Sequence, residues 1–333
     1  MELYHPSVIL ISSFILDLVI GDPVYKYHPV RIIGRFINVM QKKLKNACPD
    51  NKLTGVCLTL LTILFSLSIY SALFLIFKRI HPVAGVLLNV FFIYSLMALR
   101  DLFRHCCPVI DALNKKDLEN GRRSVGMIVG RNVNYLDEAG IVRAAIETLA
   151  ENFVDGFLSP VFWYTAGCLA GIFMNINPVY SGVVLLILFK VLSTLDSMVG
   201  YKTAEFIETG WAGARLDDLM NFVPARLSLI VLFLGSVLSG LAPLSGLRVS
   251  LRDRLKHESP NSAHSESFVA GAIRARLGGP TRYREGVREK PWLGEEFPDP
   301  DTGDIRRVMK LIFFSSCLTI SISSIILWIL FRV

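Results

Sequence analysis

The sequence predicts an all-α, polytopic integral membrane protein, with several transmembrane helices and two large polar, partly helical cytoplasmic segments. Three observations predict it. Apolar residues make up 52% of the 333 residues, and mean hydropathy is +0.48. Charged residues make up 19%, below the ~25% of ordinary soluble domains. Several apolar runs approach or exceed the ~20 residues a helix needs to cross a bilayer. In such a chain the formal net charge of +7 reads as cytoplasmic loops, not nucleic-acid binding. No basic patch interleaved with aromatics contradicts that, so the bilayer is an expected partner and nucleic acid is not.

Residues 7–20 are apolar apart from serines and Asp17, and are short for a crossing. No basic stretch precedes them, so a cleaved signal is not expected. Gly21, Asp22 and Pro23 then form a turn. A second helix follows His28-Pro29, and on it Arg31 and Arg35 share a face at i,i+4. Two guanidiniums facing one way suit an anion, ideally phosphate; a positive-inside cluster running on to Lys45 is the plainer alternative. Residues 53–77 and 83–99 read as spans. Residues 157–173 and 179–195 are the next apolar runs, and 311–331 the last.

Between these runs lies the most polar helix-like stretch, residues 131–155. Arg143, Glu147, Glu151 and Asp155 recur there every four residues, which places them on one helical face. Asp137 is the expected N-cap and Gly156 the expected stop. A solvated face with Arg143 and Glu147 as a weak pair is the plainer alternative. Charge beside a span favours function.

Asp196 interrupts the end of an apolar run, with Lys190 and Lys202 on either side. Asp217 and Asp218 follow; adjacent helix positions diverge by roughly 100°, but Asp218 and Asn221 share a face. A carboxylate plus an amide suits an Mg²⁺–phosphate platform; a helix terminus at the membrane surface is the alternative. Residues 222–244 are apolar but carry Pro224, Gly235, Gly240 and Pro243. Segment 246–310 holds thirteen Lys and Arg residues, and positive-inside bias places it in the cytoplasm. Counting every run as a crossing places it outside. One run is therefore expected not to cross, and 222–244 is the first candidate for a re-entrant hairpin. A helix over 265–277 is expected to stop at Gly278-Gly279-Pro280.

Six cysteines, none in a CxxC pair, read as reduced and structural. No P-loop, GxGxxG, HExxH or GxSxG is present. The chemistry read from the residues is phosphate handling with a metal, at one membrane-face cavity built from segments 21–52, 100–156, 196–221 and 246–310 of a single domain, 1–333.

Five motifs occur together: DLVIGDP…HPVRIIGRFI, VGRNV…AAIETLAENFVDGFLSPVFW, STLDSMVGYK, GWAGARLDDLMNFVPAR and SPN…AGAIRARLGGPTRY. In that order, over nearly the whole chain, they resemble the CobD/CbiB family of membrane-bound adenosylcobinamide-phosphate synthases. Ser262 and His264 depart from the pattern expected after Ser259-Pro260-Asn261. The resemblance implies cobalamin biosynthesis in the inner cell membrane, with a cytoplasmic active face. It implies amide formation between a propionate of adenosylcobyric acid and (R)-1-aminopropan-2-ol or its O-phosphate, by an ATP-dependent acid–amine ligase through an acyl phosphate, with Mg²⁺. On that reading Asp22, Glu151, Asp155, Asp217 and Asp218 serve metal and phosphate, and Glu147 or Asp196 is the base. Arg31, Arg35, Arg131 and Arg226 hold phosphates, with Lys202 beside them. Asn152, Asn221 and Asn261 meet the amide-bearing corrin edge, and Trp163, Trp211 and Tyr283 lie against the macrocycle, an interfacial anchor being the alternative for the tryptophans. A homo-oligomer or a complex with other cobalamin-assembly enzymes would accord with it. A transporter of corrinoids or phosphorylated solutes, and an Mg²⁺-dependent membrane prenyltransferase, are the rival readings.

Overall fold

A computed structural model of the chain describes residues 5–22, 25–130, 133–201, 203, 205–283, 286–288 and 290–331. Helices dominate. Among the described residues six are long and apolar enough to cross a membrane: Lys52–Ile80, Pro82–Asn114, Glu138–Phe173, Pro178–Val199, Trp211–Ser239 and Thr302–Leu330. The first helix, Pro6–Ile20, is apolar but shorter, as its sequence predicts. The chain divides into two compact units, one of Met1–Ala98, Ser159–Met220 and Ile320–Val333, the other of Leu99–Leu158 and Asn221–Thr319.

The first unit contains α1 (Pro6–Ile20), α2 (Pro29–Ala47), α3 (Lys52–Ile80) and α4 (Pro82–Leu96), and later α8 (Ser159–Phe173) and α9 (Pro178–Val199). Proline opens α1, α2, α4 and α9, where its fixed φ suits the first turn and its missing N–H costs nothing. Asn51 caps α3 and Asn177 caps α9 through their side-chain oxygens. Helices α8 and α9 pack backbone to backbone: a Cβ on Gly167 would stand 2.5 Å from the Ser181 carbonyl oxygen. Only 22% of the apolar window of α3 is buried within the protein. Leu60, Leu64, Leu75 and Ile76 are left exposed, an apolar surface suited to lipid.

The second unit contains α5 (Leu99–Asn114), α6 (Leu118–Gly126), α7 (Glu138–Phe153), α11 (Pro243–Asp253) and α12 (Ser262–Ile273). Two short antiparallel pairs follow: β1 (Leu277–Gly278) with β4 (Trp292–Leu293), and β2 (Thr281–Tyr283) with β3 (Gly286–Arg288). Asp137 caps α7 by accepting the Gly140 N–H, as predicted. The division between units falls within α10 (Trp211–Ser239) and α13 (Thr302–Leu330).

Four expectations need correction. Gly156 does not stop the helix: a π-helical turn, Val154–Leu158, carries the chain from α7 into α8, so Asp155 sits in a widened turn of a continuous rod. Residues 222–244 do not form a hairpin, because α10 runs unbroken through Pro224 to Ser239. Pro224 lacks the N–H that would bond the Met220 carbonyl, and the Trp163 indole N–H donates to that carbonyl instead, at 3.1 Å. The helix expected over 265–277 spans Ser262–Ile273 and ends on Arg274 in the left-handed region, φ 57°, before the glycines. All six cysteines are free thiols, but Cys48, Cys57 and Cys107 are exposed, so only Cys106 and Cys168 have the burial expected of packing residues.

Candidate functional site

In the first unit the predicted arginine pair lines a cavity of about 550 Å³ between α2 and α9. Arg31, Arg35 and Asn38 come from α2; Lys190, Ser193 and Ser197 come from α9. The i,i+4 spacing on α2 and the spacing of 190, 193 and 197 on α9 turn these groups toward one space. Gly34 lets α9 approach: a Cβ there would stand 3.2 Å from Met198 Sδ. Arg35 donates to the Lys26 carbonyl. The turn before α2 is held by His28, whose Nε2 lies 2.9 Å from Asp22 Oδ1, with the Tyr25 ring edge-on to the imidazole. Burial raises the Tyr25 hydroxyl above its ordinary pKa, Ser95 opposes this, and the Asp22 charge adds to it. Three cations with hydroxyl and amide donors make an anion-binding cavity, and among the described residues no carboxylate lines it.

The predicted acids of this unit lie elsewhere in it. Asp196 and Asp218 are near enough for their like charges to interact. Asp217, like Asp218, is half-buried. Among the described residues no three His, Cys, Asp or Glu side chains gather as a metal cage. Mg²⁺ needs none, being held typically by one or two carboxylates plus phosphate oxygens and water; the Asp196–Asp218 pair fits that mode. Arg131 and Lys202 lie outside the described residues.

In the second unit α7 presents Glu147, buried, whose Oε1 accepts the Gly278 N–H at 2.8 Å. One turn before it, Arg143 does not pair with Glu147. It bonds Asp299, and its guanidinium stands 5.3 Å from the Trp292 ring centroid. Arg276 stacks on the same ring at 4.4 Å and forks onto Asp299 at 3.0 and 2.8 Å. Hydrogen bonds from Arg276, reinforced by the Arg143 charge, hold the Asp299 carboxyl below its usual range despite partial burial. Glu151 and Asn152 are exposed and Asp155 half-buried. Asn221 and Asn261 are buried, and Arg226 Nη1 donates to the Phe222 carbonyl at 2.6 Å and reaches Asn261 Oδ1 at 3.5 Å.

Two groups that sequence reasoning passed over stand out here. Asp253, fully buried, is clamped by Arg252, by Lys256 at 2.9 Å and by the Gly294 N–H at 2.9 Å. His257 lines a separate cavity of about 280 Å³ with Lys290 and Ser262. The sequence signal was the dense polar run from Asp253 to Ser262, which single-residue motifs do not resolve. His264, flagged as a departure, is fully buried. Burial first, and the charges of Arg226 and Arg254 second, push it down to about 4, so it is a neutral packing imidazole at neutral pH.

The predicted residues thus divide between the units. Asp22, Arg31, Arg35, Asp196, Asp217 and Asp218 belong to the first; Glu147, Glu151, Asn152, Asp155, Asn221, Arg226 and Asn261 belong to the second. Of them, only Arg31 and Arg35 line the cavity between α2 and α9.

A family model described as CobD/CbiB protein matches residues 10–312. The cobalamin biosynthesis protein CobD of Pelobacter propionicus is 38% identical over 305 residues, covering 92% of this chain and 90% of its own. The CobD protein of Klebsiella pneumoniae is 38% identical, covering 93% and 94%. The cobalamin biosynthesis protein CbiB of Salmonella typhimurium is 37% identical with the same coverage. No solved structure matches the chain.

Proposed function

The chain belongs to the CobD/CbiB family, and from that premise we propose that it is an enzyme of cobalamin biosynthesis that makes an amide bond. It joins (R)-1-aminopropan-2-ol, or its O-phosphate, to a propionate carboxylate of adenosylcobyric acid, giving adenosylcobinamide or its phosphate. A carboxylate is a poor electrophile, so an ATP-derived acyl phosphate precedes attack by the amine. The observation that carries this reading is the anion cavity between α2 and α9, where Arg31, Arg35 and Lys190 supply fixed positive charge to a phosphate.

Magnesium, when bound, would neutralise the phosphates, with Asp196 and Asp218 as its protein ligands. Asp22 and Asp217 are the other acids of the same unit that the sequence offers for that role, and Glu151 and Asp155 are the ones it offers in the second unit. Glu147 is the carboxylate left for proton removal once Asp196 is given to the metal, and Asn152, Asn221, Arg226 and Asn261 supply polar contacts for substrate. The enzyme works in the inner cell membrane with its active face in the cytoplasm, where ATP is found and where the basic residues of segment 246–310 belong.

The test is mass spectrometry of product in membrane vesicles given adenosylcobyric acid, Mg²⁺ and either amine, with ATP on one face at a time. Amide product is expected only with cytoplasmic-side ATP. Arg31→Ala and Arg35→Ala each raise the KM for ATP about tenfold or more, as loss of a charged hydrogen bond of about 1.5–3 kcal/mol implies. Absence of an amide product from the wild type rejects the reaction, and an unchanged KM rejects the cavity's role.

A further inference from the structure

We propose that Arg226 and Arg254 form an oxyanion site at the start of α12, within the second unit, and that its ligand is a phosphate dianion. The inference deepens the substrate-contact role read above for Arg226 and Asn261. Its test reads binding and not turnover, so it holds or fails apart from the amide reaction.

Three helices bring the groups together. Arg226 lies on α10, Arg254 caps the C-terminus of α11, and Asn261 caps the N-terminus of α12. The two guanidiniums are near enough for their like charges to interact. Both also act on the His264 imidazole in the first turn of α12. All four residues belong to one compact unit.

Arg226 is oriented without being neutralised. Its guanidinium carbon stands 3.4 Å from the Phe222 ring centroid. Nη1 donates to the Phe222 carbonyl at 2.6 Å and reaches Asn261 Oδ1 at 3.5 Å. Neither partner carries charge. A guanidinium has five N–H donors in a fixed fork, so these contacts aim the fork and leave most of its donors over.

Arg254 is half-buried, and its Nε is buried with no hydrogen-bond partner among the described residues. Asp253, its neighbour in the chain, is held by Arg252, by Lys256 and by the Gly294 N–H. His264 is fully buried, and neither ring nitrogen has a hydrogen-bond partner among the described residues. As a neutral imidazole it carries one N–H donor. The other arginines of this unit behave differently: Arg143, Arg252, Arg276 and Arg307 each meet a carboxylate.

Two half-buried cations side by side repel, and buried donors without acceptors are costly. An anion accepting from both forks removes both penalties. Charge selects its class. A phosphate dianion matches two guanidiniums and offers oxygens to each, whereas a carboxylate leaves one positive charge uncompensated. The helix adds to this: Asn261 makes no side-chain capping bond, and the positive end of the α12 dipole favours an anion at the same place. Arg226 lies on a helix long and apolar enough to cross a membrane, so a lipid headgroup and a soluble phosphomonoester share the chemistry required.

The experiment measures inorganic phosphate binding by equilibrium dialysis of the full-length protein in phosphatidylcholine nanodiscs. An Arg31→Ala, Arg35→Ala background removes the arginine contacts of the cavity between α2 and α9. Phosphate should still bind. Adding Arg254→Gln should weaken that binding about tenfold or more, as loss of a charge-assisted hydrogen bond implies, and Arg254→Lys should weaken it less. In phosphate-free buffer Arg254→Gln should melt no lower than its parent, because removing one of two repelling cations relieves the other. Phosphatidylglycerol in the nanodisc identifies the source: competition with phosphate marks a lipid headgroup, and its absence marks a soluble phosphomonoester. Phosphate binding that is absent, or unchanged by Arg254→Gln, overturns the site. So does a lowered melting temperature of Arg254→Gln in phosphate-free buffer, since the arginine would then serve the fold.

Discussion

The two compact units share local hydroxyl bonds but differ in how far their charged groups are used: the first has one long-range ion pair, Lys45 with Glu205, among the described residues, and the second has several. In the first, hydroxyls mostly turn back on their own helix. Thr62 donates to the Leu58 carbonyl at 2.7 Å, Ser66 to Thr62 at 2.8 Å, Thr165 to Val161 at 2.8 Å and Thr194 to Lys190 at 2.6 Å. In the second, charged groups reach across the chain. Glu147 meets the Gly278 amide 131 residues away, Arg143 meets Asp299 156 residues away, and Asp253 meets the Gly294 amide 41 residues away. Local bonds need no tertiary partner and suit helices set in lipid, where an unmet polar group costs several kcal/mol. Long-range ionic bonds fix one packing, and Asp253 and Glu147 left alone would be buried carboxylates.

That contrast can be broken experimentally, and Asp253→Ala tests it most severely. Removing the carboxylate leaves Arg252 on Glu296 alone and Lys256 on the Trp292 carbonyl alone, and leaves the Gly294 N–H without its acceptor. Because Arg252 and Lys256 are part-exposed and the Gly294 N–H alone is left unmet, we expect a loss of about 1–3 kcal/mol, read as a lowered unfolding temperature in detergent micelles; a negligible shift would mean the network is ornamental. Its pH dependence has a definite sign. Burial alone would raise the carboxyl, but hydrogen bonds from Arg252, the Gly294 amide and Lys256 hold it well below 3.8. A depressed folded-state value stabilises above the unfolded one. The Asp253 contribution is therefore present above about pH 4 and fades as pH falls below that, and the Ala variant should lack this acid sensitivity.

Gly167→Val probes the first unit and ranks second. The added Cβ would meet the Ser181 carbonyl oxygen at 2.5 Å and Gly182 Cα at 2.8 Å. Backbone cannot yield as a side chain can, so a cost of about 1–3 kcal/mol is expected. An unchanged melting temperature would show that α8 and α9 are looser than their spacing suggests.

Thr62→Val should do least, under about 1 kcal/mol. The Leu58 carbonyl keeps its helical N–H, and valine fills the same volume. A loss comparable to that of Asp253→Ala would erase the distinction between local and long-range satisfaction.

Much of the fold was legible from local pattern. Apolar run lengths gave the spans, Asp137 gave the start of α7, and the i,i+4 spacing of Arg31 and Arg35 placed both on the wall of one cavity. These follow from helical periodicity and capping, which act within a few residues. The same local rules misread Pro224 as a break and Gly156 as a stop. A distant indole supplied the bond that proline lacks, and a π turn let the helix pass the glycine.

The sequence by itself determined that this chain is a helical membrane protein, and it placed an arginine pair at the start of α2. Tertiary structure alone decided that Glu147 faces a glycine amide and not Arg143, that Asp253 is a clamp, and that His257 stands between Ser262 and Glu266 beside a small cavity. The reason is range: periodicity sets which way a side chain leaves its helix, and only the packing of remote segments sets what it meets there.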